Sequence, residues 1–141
     1  MSVPNIRDRT VIPAEDLSRL VDDAASWIAA QWPTRPALSI ILGTGLGRLV
    51  DEIEAAAVLP YADIPGFPQS TAVGHAGRRV GGCLCGTPVI TMEGRFHLYE
   101  GYPDWRITLP VRVMHALGAC RLIASNAAGA VNPNYRVGDV M

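Results

Sequence analysis

Apolar residues recur at helical spacing through Leu17, Leu20, Val21, Ala24, Trp27 and Ile28, which predicts an amphipathic helix from Pro13 to about Trp32. Pro13 suits the first helical position. Glu15 and Asp16 fall in the first turn, where the helix dipole favours them, and Pro33 ends the run. Trp32 carries the apolar face one turn further, with Gln31 on the polar side or at its edge. A short apolar run, Ala37 to Leu42, reads as a buried strand. It enters Gly43-Thr44-Gly45-Leu46-Gly47 directly and then a helix-like stretch, Arg48 to Glu54. Ala55 to Tyr61 reads as a strand, and Ile64 to Pro68 as a proline-punctuated loop. Arg78–Cys85 and Pro88–Glu93 read as two strands joined at Gly86-Thr87. A loop over Gly94–Pro103 leads to a second helix, Asp104 to Leu117. Its apolar stripe is Ile107, Pro110, Val111, Met114 and Leu117, with Pro110 bending it or lying in its first turns and Gly118 capping it. His115, beside Met114, reads as structural. Leu122 to Asn126 is the last full strand, and another begins at Val137–Met141. Strands alternating with helices predict an α/β fold.

Composition narrows the class. Of 141 residues, 49% are apolar and 18% charged, with a formal net charge of -1. Disorder needs low hydrophobicity and high net charge, so it is excluded. A chain of this size can enclose one sizeable core, and the expectation is a single domain over 1–141. All 12 basic residues are arginines and they are scattered, so no nucleic-acid footprint is expected. No apolar run approaches the roughly 20 residues of a membrane span. Met1 to Arg9 does not resemble a signal peptide. Cys83, Cys85 and Cys120 are an odd number without metal spacing, so free thiols in a reducing compartment and a cytoplasmic protein are expected. Cys83 and Cys85 are placed on one strand face.

Three segments leave strands carrying useful chemistry, and ligands of open α/β sheets bind beyond the carboxyl ends of strands. In Gly43–Gly47 the glycines let backbone N–H groups approach an anion at a helix start, and the Thr44 hydroxyl adds a donor. The glycine spacing is neither the dinucleotide nor the P-loop pattern; a structural turn is the plain alternative. In Glu93–Pro103, an extended backbone would put Arg95, His97 and Tyr99 on one face. Arg95 offers a donor fork for phosphate, His97 a donor or a proton, and Tyr99 a ring and hydroxyl for a sugar or base. In Asn126–Ala130 small side chains expose backbone N–H groups and leave room for a flat ligand. His75, within Gly74-His-Ala-Gly77, is either a surface histidine or a reach towards an anion.

Ile41–Gly47, Gly74–Gly77, Glu93–Pro103 and Ser125–Gly129 resemble, in order, segments of the trimeric purine nucleoside phosphorylases, and the string Arg95–Pro103 is the most specific. The resemblance runs over about residues 35 to 141 and implies a mixed twisted sheet flanked by helices in a three-layer, phosphorylase/hydrolase-like fold. It also implies phosphorolysis of purine (deoxy)ribonucleosides to free base and sugar 1-phosphate. By resemblance, Thr44, His75, Arg95, His97 and the backbone of Ala127 hold phosphate. Tyr99, Ala128 and Gly129 contact the nucleoside. His97 and Glu100 form the catalytic pair, with Glu100 ordering the phosphate side. No metal or organic cofactor is implied; orthophosphate is the co-substrate and a homotrimer the expected assembly. Family members are about twice as long, so the chain reads as an N-terminal portion with the purine-activating residues outside it, and little or no turnover is expected of it alone.

Thr44, where many members have Ser, also fits the methylthioadenosine phosphorylase branch, whereas Met92–His97 fits the inosine/guanosine side. A non-catalytic phosphate- or nucleoside-binding fragment is the alternative from another class. A dinucleotide-binding half rests on the glycine loop and on Asp63, which follows Gly43 at about the twenty-residue spacing of a ribose-binding acid.

Overall fold

The structure is a computed structural model that describes residues 11–43, 45–68 and 77–141. Helix α1 spans Ala14–Gln31. Pro13 is its N-cap rather than its first residue: at ψ 144° it is extended, and its carbonyl accepts from Asp16 and Leu17. Ala24 and Ile28 are fully enclosed and Trp32 nearly so, while Gln31 is exposed, as the apolar spacing requires. Enclosing a side chain of the size of Ile28 contributes roughly 1.5–3 kcal/mol of burial.

Five strands form one sheet: β1 (Leu38–Ile41), β2 (Glu54–Pro60), β3 (Arg78–Leu84), β4 (Thr87–Glu93) and β5 (Leu122–Ala124). Their order is β2-β3-β4-β1-β5. The first three positions are an antiparallel meander, while β4, β1 and β5 run parallel, so the sheet is mixed. Helix α2 (Asp104–Ala116) makes the crossover from β4 to β5. Alternation along the strands divides the core between two faces. Ile90 and Met92 of β4 and Leu59 of β2 meet Ile28 of α1 and Leu109, Val113 and Met114 of α2. Ile40, Val80 and Val89 meet Val50 and Ile53 on the opposite face. The layers touch closely at Gly81, where an added Cβ would lie 2.7 Å from the Trp32 ring.

Several expectations shift. The glycine loop leads into a 3-10 segment, Gly47–Glu52, rather than a regular helix. The β3–β4 connection is Cys85-Gly86, one residue earlier than expected, with Leu84 paired to Thr87 and positive φ at both loop residues. That geometry matches the right-handed twist of a hairpin. Cys85 is therefore an exposed turn residue and does not share a strand face with Cys83. The buried stripe of α2 is wider than its spacing suggested, because Leu109 and Val113 are also enclosed. Pro110 lies in the helix interior, where it offers no N–H to the carbonyl one turn back. Gly118 caps α2 as expected: its N–H donates to His115 and that of Ala119 to Met114, the paired bonds of a Schellman ending. His115 is exposed in the last turn, where a basic side chain complements the dipole. β5 stops at Ala124, and Val137–Met141 form no strand. Arg136 and Asp139 instead close a turn, the Arg136 N–H donating to Asp139 Oδ2 at 2.8 Å.

One core residue runs against composition rules. Arg79 of β3 is wholly buried on the helix face. One guanidinium nitrogen donates to the Pro110 carbonyl at 2.6 Å and the group lies 4.6 Å above the Phe67 ring. Its Nε and other terminal nitrogen have no hydrogen-bond partner. Burial pushes its pKa down to about 10, with Tyr61 acting in the opposite sense, so the charge persists at neutral pH.

Among the described residues, no helix is long and apolar enough to cross a membrane.

Candidate active site

Because β4, β1 and β5 are parallel neighbours, their carboxyl ends lie on one edge of the sheet. Three segments separated in sequence meet there: the glycine loop after β1, Gly94–Glu100 after β4, and Ser125–Gly129 after β5. The Gly43 N–H donates to Ser125 Oγ at 2.9 Å, and the Ser125 N–H returns to the Ile41 carbonyl at 3.1 Å. The two backbones are so close that a Cβ on Gly43 would lie 2.5 Å from the Ser125 oxygen. Only glycine fits that approach.

Arg95 spans from β4 to β5. Its terminal nitrogen donates to the Ser125 carbonyl at 3.2 Å and its Nε to His97 Nε2 at 3.3 Å. His97 Nδ1 lies 3.1 Å from Glu100 Oε1. A guanidinium only donates and a carboxylate only accepts, so the neutral ring carries its proton on Nδ1 and accepts at Nε2. Glu100 Oε1 also accepts the His97 backbone N–H at 2.8 Å, and the Glu100 N–H returns to the His97 carbonyl at 3.0 Å. The Glu100 side chain is 3% exposed and that of His97 21%, so the carboxylate is the more enclosed partner of the pair.

The backbone does not stay extended. It folds into a 3-10 turn at Leu98–Glu100, which keeps Arg95 and His97 together and swings Tyr99 back over His97. The two rings stack 4.7 Å apart at 19°, with Tyr99 75% exposed. Arg95, His97, Tyr99 and Glu100 are thus brought into one cluster. Ala127, Ala128 and Gly129 follow Ser125 as exposed chain without regular structure, at the same edge. Thr44 and His75 lie outside the described residues.

Three participants were not singled out from sequence. Ser125 joins all three segments; the sequence placed it at the head of the Ser125–Gly129 segment without giving it a role. Arg78 Nε donates to Glu93 Oε2 at 2.5 Å, an ion pair at the foot of the Arg95 segment. Tyr61 donates its hydroxyl to the Gly94 carbonyl at 2.7 Å, a contact that sequence spacing does not reveal. Burial raises the Tyr61 hydroxyl pKa, opposed by Arg79 and reinforced by Glu93. Among the described residues no group of three or more His, Cys, Asp or Glu is placed to hold a metal ion. The dinucleotide reading fails on topology, since β3 and β4 separate β2, which leads to Asp63, from β1 and its glycine loop.

Residues 38–141 match the Phosphorylase superfamily. Purine nucleoside phosphorylase 1 of Geobacillus stearothermophilus is 53% identical over 121 residues, covering 86% of this chain and 44% of the relative. Purine nucleoside phosphorylase of Bos taurus is 50% identical over 119 residues, covering 84% and 41%. A crystal structure of a purine nucleoside phosphorylase in complex with ribose-1-phosphate superposes with a TM-score of 0.80 at 44% identity, covering 86% of this chain and 44% of that one. The chain therefore spans less than half the length of the relatives it matches.

Proposed function

The chain belongs to the phosphorylase superfamily, and from that premise we propose that it carries the phosphate-binding part of a purine nucleoside phosphorylase site. In the proposed reaction orthophosphate attacks the anomeric carbon of a purine (deoxy)ribonucleoside. A C–O bond to phosphate forms, the C–N bond to the purine breaks, and the purine leaves with the bonding electrons and takes up a proton. The observation that carries this reading is the convergence of Arg95, His97 and the Ser125–Gly129 backbone beside the glycine loop.

Arg95 presents a fork of charge-assisted donors, and His97, ordered by Glu100 at Nδ1 and bonded to Arg95 Nε through Nε2, lies beside that fork and orients it towards the anion. Thr44, His75 and the Ala127 N–H complete the phosphate ligands. Tyr99 and the small residues Ala128 and Gly129 face the nucleoside. An oriented phosphate beside an electron-poor anomeric carbon supplies proximity and charge together. No metal or organic cofactor enters this scheme. A homotrimer acting in the cytoplasm is the assembly and location we propose; free cysteines support a reducing compartment.

A phosphate-dependent inosine assay, run beside a titration with inorganic phosphate, tests the reading. Saturable phosphate binding with little or no hypoxanthine release is expected from the 141-residue chain, because residues that activate the purine are expected outside it. Hypoxanthine release at a rate typical of enzymes would overturn the expectation of weak turnover. Absence of phosphate binding would overturn the site itself.

A further inference from the structure

Behind the Arg95–His97 edge lies a set of aromatic rings with one polar atom at its centre. Tyr61, 1% exposed, sits 5.1 Å from the Phe96 ring and 6.0 Å from the Phe67 ring, and Phe96 meets Tyr102 edge-on at 6.2 Å. Phe96 separates Arg95 from His97 in sequence and turns inward, so this cluster is the floor on which those two residues stand. Within the floor the Tyr61 hydroxyl donates to the Gly94 carbonyl at 2.7 Å, in a buried bond. That carbonyl belongs to the peptide group whose nitrogen is Arg95's own. The Tyr61 backbone N–H is bonded as well, to the Gly77 carbonyl at 2.9 Å, which anchors the tyrosine to the start of β3.

We propose that Tyr61 is a positioning residue of the phosphate site: its hydroxyl sets the plane of the Gly94–Arg95 peptide and thereby the direction of the Arg95 fork. The proposal rests on the phosphate reading above. A peptide plane is rigid, so fixing its carbonyl oxygen fixes the direction in which the Arg95 Cα leaves β4. A buried carbonyl without a donor would rotate towards water or another donor, carrying Arg95 with it. A guanidinium fork depends on direction more than a point charge does, so a small rotation costs bidentate contact with an anion. The tyrosine remains protonated across the working pH range, since burial raises its pKa, and so the donor is permanent.

The test is Tyr61→Phe in the full 141-residue chain, titrated with inorganic phosphate, beside Val113→Ala as a core variant on helix α2 of the same apolar cluster. In Tyr61→Phe the dissociation constant for phosphate should rise about tenfold, as expected for an unsatisfied buried group. The Arg95 Nε–H resonance should move. Val113→Ala should lower the melting temperature at least as much, yet bind phosphate within about twofold of the parent. Should Tyr61→Phe fail to fold, Tyr61→Phe/Arg79→Leu is compared with Arg79→Leu under the same criteria. Phosphate binding unchanged within about twofold in the Tyr61 variant, or equally weakened in Val113→Ala, overturns the positioning role while leaving the site intact. A parent chain that does not bind phosphate overturns the site, and this role with it.

Discussion

Gly43 and Ser125 are 82 residues apart in sequence, yet the amide of one donates to the hydroxyl of the other at 2.9 Å. The same approach leaves only 2.5 Å between a notional Gly43 Cβ and the Ser125 oxygen. Gly43→Ala should therefore push the end of β5 away from β1, costing roughly 1–3 kcal/mol of stability. Because Arg95 bonds to that same Ser125 oxygen, phosphate affinity should fall with it. Urea unfolding and a phosphate titration measure the two effects. A variant with parental stability and affinity would show that the approach is looser than described.

Glu100 accepts from both the ring and the backbone of His97. In Glu100→Ala those two donors lose a largely buried acceptor, at a cost of about 1–3 kcal/mol. The Nδ1–H tautomer of His97 also loses its support. We expect weaker phosphate binding and a changed 15N shift for the His97 ring. Parental values for both would remove Glu100 from the phosphate network.

Arg79 is a charge in an apolar core, and Arg79→Leu should stabilise the fold by roughly 1–3 kcal/mol at pH 7, after the lost Pro110 bond is counted. The pH dependence has a definite sign. Below about pH 10 the guanidinium is protonated in the folded and unfolded chains alike, and its burial cost is fully present. Between that value and the higher ordinary arginine value the unfolded chain binds more protons than the folded one, so stability rises with pH and the cost fades. The advantage of Arg79→Leu should be constant near neutrality and shrink above about pH 10. Denaturant midpoints of both chains from pH 7 upward test this, and an advantage that widens in alkali would contradict it.

Cys85 occupies a hairpin position at φ 48°, a region that β-carbon sterics disfavour. Asn tolerates that conformation and is favoured in such turns. Cys85→Asn should raise stability by roughly 0.5–1 kcal/mol without touching phosphate binding. A lower melting temperature would show that the thiol makes a contact worth more than the strain.

Much of this was legible from local pattern. Helical spacing located α1 through Ala24 and Ile28, and the four-residue core of the Ala37–Leu42 run became β1. Arg95, His97 and Glu100 could be read as one site because they lie within six positions of each other, close enough for a single turn to gather them. Tyr99 was harder. Its stacking on His97 depends on the 3-10 turn that breaks the extended backbone, and period-two reasoning assumed no such break. Arg79 was harder still, since the acceptor that a buried arginine needs comes from a distant segment, here the Pro110 carbonyl of α2.

By itself the sequence located the two α-helices and the five strands of the sheet, through the periods of apolar burial, and the residue types that could meet an anion. Only the tertiary structure decided that the three strand ends share an edge, because parallel pairing of β4, β1 and β5 depends on long-range register. The same holds for Ser125 and Tyr61. Their roles rest on hydrogen bonds that involve main-chain groups, among them Gly43 N–H, the Ser125 carbonyl and the Gly94 carbonyl, which leave no mark in the residue pattern.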